Sequence, residues 1–156
     1  MEQEIKIIQV TEEYGIIKEL FLEYAEWLNF DLCFQGFENE LQNLDKVYEN
    51  PGGCLLLAYA GCNVAGCVAL RKISDDVCEM KRLFVREKYR GLKIGRMLSN
   101  RIIEIAKEKG YGKMKLDTLE RMKAAVQLYR SIGFKETQPY RPNPMSDVIY
   151  MELEIR

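Results

Sequence analysis

The chain contains no histidine. That excludes a Ser-His-Asp triad or Cys-His dyad, and it excludes zinc held by histidine. Acid–base chemistry must fall to carboxylates, tyrosine, lysine or cysteine. The five cysteines, Cys33, Cys54, Cys62, Cys67 and Cys78, include no CxxC pair, so zinc ribbons and thioredoxin-type centres lack their signature. No apolar run reaches the length needed to cross a bilayer. The opening MEQEIKIIQV shows no basic stretch leading into an apolar one. An odd cysteine count without a leader predicts reduced thiols and a cytoplasmic location. Only four prolines interrupt the chain, three of them between 139 and 144.

What is present is ordinary for a folded enzyme-sized unit. The 156 residues are 47% hydrophobic and 30% charged, which predicts one globular domain spanning 1–156 with a real core. The net charge is −1, but it is unevenly laid out. Residues 1–80 carry 5 Lys/Arg and 15 Asp/Glu, whereas residues 81–156 carry 18 and 9. The segment 81–101 holds eight basic residues against Glu87 alone. Such a basic half predicts an anionic partner, either nucleic acid or a phosphorylated small molecule, unless the charges simply cover solvated faces.

Hydrophobic spacing predicts strands at 3–9, 54–60, 64–72, 77–85, 113–118, 134–137 and 147–155. It predicts helices from Thr11 to about 28, over 37–46, 93–109 and 121–131. Glu12 and Glu13 suit the first helix's N-terminus. On the third helix Ile94, Met97, Leu98, Ile102, Ile105 and Ala106 share a face, and on the last Ala124, Ala125, Leu128 and Tyr129 point inward. The fold class is mixed α/β (α+β), with strands two to four as an antiparallel meander.

Arg90-Gly91-Leu92-Lys93-Ile94-Gly95-Arg96 joins the fourth strand to the third helix. A glycine-containing turn at a helix N-terminus offers unpaired N–H groups and a positive dipole end to an anion. It is neither a Walker A loop nor a GxGxxG fingerprint.

This turn resembles the Arg/Gln-x-x-Gly-x-Gly/Ala segment of the GCN5-related N-acetyltransferase (GNAT) superfamily, with Lys93 where that family usually has glycine. Glu79-Met80-Lys81-Arg82-Leu83-Phe84-Val85 is similar to the family's fourth strand. Residues 124–134, AAVQLYRSIGF, are similar to its A-x-x-L-Y-x-x-x-G-F segment. The resemblance implies a GNAT-like acyl-CoA N-acyltransferase fold, with a mostly antiparallel mixed sheet flanked by helices. It implies acetyl-CoA as co-substrate, an amine acceptor, direct transfer and no metal.

By the same resemblance the backbone of Leu83, Phe84 and Val85 holds the pantetheine arm. The amides from Gly91 through Leu92, Lys93, Ile94, Gly95 and Arg96 hold the pyrophosphate, with charge from Arg90, Lys93 and Arg96. Tyr129 is the candidate acid for the departing thiolate, since a phenol of pKa about 10 can donate to a thiolate of pKa about 8.5. Glu79 is the candidate base, working through water, or else forms a surface pair with Lys81. Tyr24, Trp27, Phe30, Tyr140 and Asn143 are candidates for the acceptor pocket. Cys78 lacks a histidine to activate it as a nucleophile. No nucleic-acid or membrane partner is expected; the oligomeric state is not readable, with a homodimer through the apolar last strand left open. Two other readings stand beside this one: a GNAT-like domain that binds acyl-CoA without catalysis, and a basic nucleic-acid-binding module.

Overall fold

A computed structural model describes residues 4–28, 36–49 and 51–156. Phe30 and Cys33 lie outside them. The elements are β1 (Ile5–Gln9), α1 (Gly15–Leu28), α2 (Phe37–Gln42), α3 (Leu44–Val47), β2 (Cys54–Ala60), β3 (Asn63–Lys72), β4 (Val77–Val85), α4 (Ile94–Glu108), β5 (Lys113–Leu119), α5 (Lys123–Ile132), β6 (Lys135–Glu136) and β7 (Val148–Glu154). The strands form one sheet in the order β1-β2-β3-β4-β5-β7-β6. Every pairing is antiparallel except β4 with β5.

The unbroken apolar run of β2 is explained by burial on both sheet faces. Leu56, Ala58 and Ala60 join the cluster under α4, with Leu98 and Ile102. Leu55 and Leu57 join the cluster under α1, with Ile17, Leu20 and Phe21. The alternation is the period-two rule of a strand.

Several boundaries and faces differ from the sequence reading. Helix α1 begins at Gly15, not Thr11. Glu13 adopts a left-handed φ of 56°, and the Tyr14 hydroxyl donates to the Thr11 carbonyl at 2.9 Å, fixing a turn there. The expected 37–46 helix is two short ones, broken at Asn43 with φ −131°. Met97 is 37% exposed, outside the core stripe of α4. Ala124 is exposed, and the buried face of α5 is Val126 and Tyr129.

The last strand is not an edge. β7 pairs β5 along its length and is covered by β6 at Met151 and Glu152. No helix among the described residues is long and apolar enough to cross a membrane.

Candidate active site

Two irregularities of β4 create the site. The first is a bulge. The β3–β4 register runs Cys67↔Phe84 and then Ala69↔Lys81, leaving an extra residue on β4. Arg82 there takes φ 59°, a conformation that costs an L-residue about 1–3 kcal/mol and persists only when surroundings enforce it. They do so here. The Arg82 guanidinium is held by Glu40 and stacks on the Phe37 ring at 5.4 Å, while the Cys67 thiol donates to the Arg82 carbonyl at 3.3 Å. Gly66 on β3 is required beside the bulge, because a Cβ would lie 2.5 Å from the Phe84 carbonyl oxygen.

The bulge also shifts the alternation of side chains. Leu83 packs with the α4-side cluster and Phe84 with the α1-side cluster. Strict alternation would put Glu79, Lys81 and Leu83 on one face, and the bulge breaks it at Leu83.

The second irregularity is the splay of β4 from β5. Their parallel pairing covers only Val77–Glu79 against Lys113–Lys115. Beyond it the strands part around a chamber of about 40 Å³, lined by Lys81 and Leu83 of β4, Asp117 and Thr118 of β5, Tyr24 of α1, Tyr129 of α5 and Asn143. That is room for a small polar group rather than a whole substrate.

On one side lies a mostly apolar groove of about 410 Å³. Leu83, Phe84, Val85, Arg90, Gly91, Lys93, Ile94, Gly95 and Arg96 line it, opposite Met122, Ala124, Ala125 and Leu128. The three α5 residues read as core therefore form its far wall. Leu83 and Met122 are shared with the chamber. On the other side an open cavity of about 840 Å³ is bounded by Arg71, Lys72, Glu79, Tyr140, Arg141 and Asn143. Asn143 is the shared wall.

The groove fits a coenzyme A ester on several counts. Helix α4 starts with Lys93 as an N-cap that makes no side-chain hydrogen bond. The first intrahelical bond is from Met97 N to Lys93 O, 3.1 Å, so the N–H groups of Ile94, Gly95 and Arg96 have no carbonyl of the helix to bond. Gly91 and Lys93 take positive φ, 90° and 64°, which turns the chain sharply beneath that helix end. A Cβ at Gly95 would make ordinary contact with Leu128 Cδ2 at 3.5 Å and Val85 Cγ2 at 3.9 Å, so Gly95 lies against both walls of the groove without a clash. The Arg96 guanidinium donates to Ser131 Oγ at 2.7 Å. Leu92 is 47% exposed and is not on the groove wall.

Trp27, read as an acceptor residue, belongs to the groove instead. It is 47% exposed, stacks under the Arg90 guanidinium at 4.8 Å, and does not line the 840 Å³ cavity. Tyr24 does face the chamber, with burial pushing its hydroxyl pKa up to about 12. Tyr129 is buried against Phe134, 5.8 Å between centroids. Burial, with Tyr24 and Asp117 nearby, raises its pKa well above that of a free phenol.

Glu79 is fully buried. Its Oε2 accepts from the Tyr140 hydroxyl at 2.7 Å and from Arg141, while Oε1 has no hydrogen-bond partner among the described residues. It makes no ion pair with Lys81, so the surface-pair reading of Glu79 is wrong: the 139–144 loop covers it. Cys78 is buried, its thiol pKa pushed up to about 12 by desolvation, which makes it inert.

The sequence reading missed Lys81, Arg82 and Asp117 as site residues. Their signal was a charged pair inside an apolar strand, at 81 and 82.

A groove at a strand–turn–helix junction thus opens past a tyrosine into a small chamber. The chain belongs to the acetyltransferase (GNAT) family, whose model matches residues 13–134. It is 41% identical to an uncharacterized N-acetyltransferase of Schizosaccharomyces pombe, over 97% of this chain and 94% of that one. A GNAT family acetyltransferase structure from Staphylococcus aureus Mu50 superposes with a TM-score of 0.80 at 25% identity, over 98% of this chain and all of that one. A GNAT family acetyltransferase from Elizabethkingia anophelis, solved with acetyl-CoA bound, shares the fold at a TM-score of 0.70 and 23% identity, over 96% and 97% of the two chains.

Proposed function

We propose that this N-acetyltransferase passes the acetyl group of acetyl-CoA directly to an amine at the β4–β5 splay, with Tyr129 serving the leaving sulfur. The observation that carries the reading is the position of Tyr129. It lines the chamber that shares Leu83 and Met122 with the coenzyme groove and Asn143 with the acceptor-side cavity.

The backbone at Leu83–Val85 and the amides of Ile94, Gly95 and Arg96 orient the carrier, and Arg90, Lys93 and Arg96 surround it with positive charge. The amine nitrogen bonds the acetyl carbon as the carbon–sulfur bond breaks, and the bonding pair leaves on sulfur. Tyr129, kept protonated by its raised pKa, donates a hydrogen bond to that sulfur. Glu79 offers its unpartnered Oε1 to receive the amine's proton through water. Tyr24 and Asn143 border the entering amine, and Tyr140 and Arg141 close the cavity over Glu79. We read the chain as a single-domain cytoplasmic enzyme. The described cysteines are all free, in keeping with a reducing compartment.

Thermal shift with acetyl-CoA, CoA, ATP and a short DNA duplex tests the groove. A ligand at 100 times its Kd adds about 2.7 kcal/mol, so both coenzymes raise Tm and the other two do not. Release of free CoA thiol in the presence of amines then reports transfer. Binding without transfer to any amine would make the chain a coenzyme sensor, and a DNA shift alone would overturn the whole reading.

A further inference from the structure

Direct transfer with Tyr129 and Glu79 leaves Lys81, in the chamber, without a role. Lys81 is only 6% exposed, and its Nζ has no hydrogen-bond partner among the described residues. A buried ammonium without a partner is expensive to maintain. The carboxylates that attract it are already engaged. Glu40 holds Arg82 and accepts from the Tyr48 hydroxyl, and Asp117 accepts from the Asn143 amide at 3.4 Å. Burial is what most disfavours its charge; Arg82 and Arg71 add to that, and Glu40 and Asp117 offset them. Next door, Arg141 Nε is a second buried donor without a partner.

We propose that the acceptor is an α-amino acid whose carboxylate pairs with Lys81 while its amine enters the chamber beside Tyr129. The inference deepens the transferase reading and rests on it. Lys81 and Tyr129 both line the 40 Å³ chamber, which takes the amine and carboxylate head, and the 840 Å³ cavity before Arg71 and Arg141 receives the side chain. A polyamine would bring a second cation against Lys81, Arg82 and Arg71. A peptide N-terminus would place a neutral amide where the carboxylate belongs. Burial holds the Lys81 pKa down at about 7. An arriving carboxylate reverses that, since an opposite charge in close contact favours the ammonium form.

The test uses the common α-amino acids, their C-terminal amides and a set of polyamines. Two readouts apply to each: thermal shift of the CoA-saturated protein, and thiol release from acetyl-CoA. At least one amino acid stabilises the protein, and its kcat/KM exceeds that of its own amide about tenfold or more, as a charged hydrogen bond allows. Lys81→Met, which removes a buried charge and keeps the volume, abolishes that preference mainly through KM. Three results would overturn the inference. The amides or polyamines could match the acids in binding and rate. No acid could stabilise the CoA-bound protein at millimolar concentration. Lys81→Met could slow acids and amides equally with their ratio kept, which would make Lys81 a proton acceptor. Failure of the transferase reading shows differently, as no stabilisation by CoA or acetyl-CoA.

Discussion

Arg82 Nη2 lies 2.8 Å from Glu40 Oε1, and Arg82 Nε lies 3.0 Å from Glu40 Oε2. This two-point pair is buried, 4% and 5% exposed at its side chains, and it ties the bulge of β4 to α2. Removing one partner of a buried pair strands the other charge, at a cost of about 3–5 kcal/mol. Glu40→Ala therefore lowers stability by that order in urea titration and also reduces activity, because the bulge that sets the faces of β4 beside the chamber is no longer held.

The same pair sets a pH limit. Arg82 beside it holds the Glu40 carboxyl below its ordinary 4.5 despite burial. The unfolded state then binds more protons than the folded one below about pH 4.5, so stability rises with pH through that window. It is fully present above pH 4.5 and is lost as pH falls through the lower folded value. Melting temperature scanned from pH 3 upward checks this, and a Glu40→Gln protein has a flatter acid limb.

Lys81 acts at the other end of the scale. Its folded pKa of about 7 lies below the ordinary 10.5. The unfolded chain again binds more protons, now between those two values, so stability climbs from about pH 7 to about pH 10. Lys81→Met removes that climb and raises stability at pH 7 by on the order of a few kcal/mol. Equal pH slopes in the two proteins would contradict it.

Tyr129→Phe keeps the ring contact with Phe134 and removes the hydroxyl. Acetyl-CoA binding and Tm stay near wild type while kcat falls about 100-fold, the scale of a lost acid–base group. Calorimetry with acetyl-CoA separates this from a folding defect. An unchanged kcat would remove Tyr129 from the chemistry.

Lys93 occupies a left-handed conformation, φ 64° and ψ 22°, at the start of α4. A left-handed L-residue costs about 1–2 kcal/mol, which glycine would recover in part while losing unfolded-chain entropy. Lys93→Gly therefore changes stability by about 1 kcal/mol at most. It weakens coenzyme binding several-fold at low salt, and the difference closes near 1 M salt, where screening acts within about 3 Å. Calorimetry at two salt concentrations measures both.

The charge imbalance along the chain has an internal meaning as well as an external one. Arg82 pairs with Glu40, Arg86 with Glu23 at 2.5 Å and with Glu19 at 3.4 Å, Arg141 with Glu79, and Arg156 with Asp76. Each bridge joins the basic half to the acidic half. Part of the basic excess is thereby spent within the fold, and Arg90, Lys93 and Arg96 line the groove. The charge left for an anionic partner is therefore concentrated at the turn before α4 rather than spread over the half as a whole.

Periodicity and turn residues alone determined most of the order of strands and helices, the glycine turn before α4 and the position of Tyr129 on α5, because these follow from hydrogen bonds and side-chain directions within a few residues of chain. The tertiary structure decided where α5's alanines lie, which face Leu83 takes, that Trp27 serves the groove, and that Glu79 is sealed by Tyr140 and Arg141. Each depends on contacts between distant segments: the extra residue on β4 reverses the alternation only because Gly66 and Glu40 hold it there. Lys81 shows the division most clearly. In the sequence it is one lysine among many, and only the parting of β4 from β5 leaves its ammonium buried, unpartnered and facing a chamber.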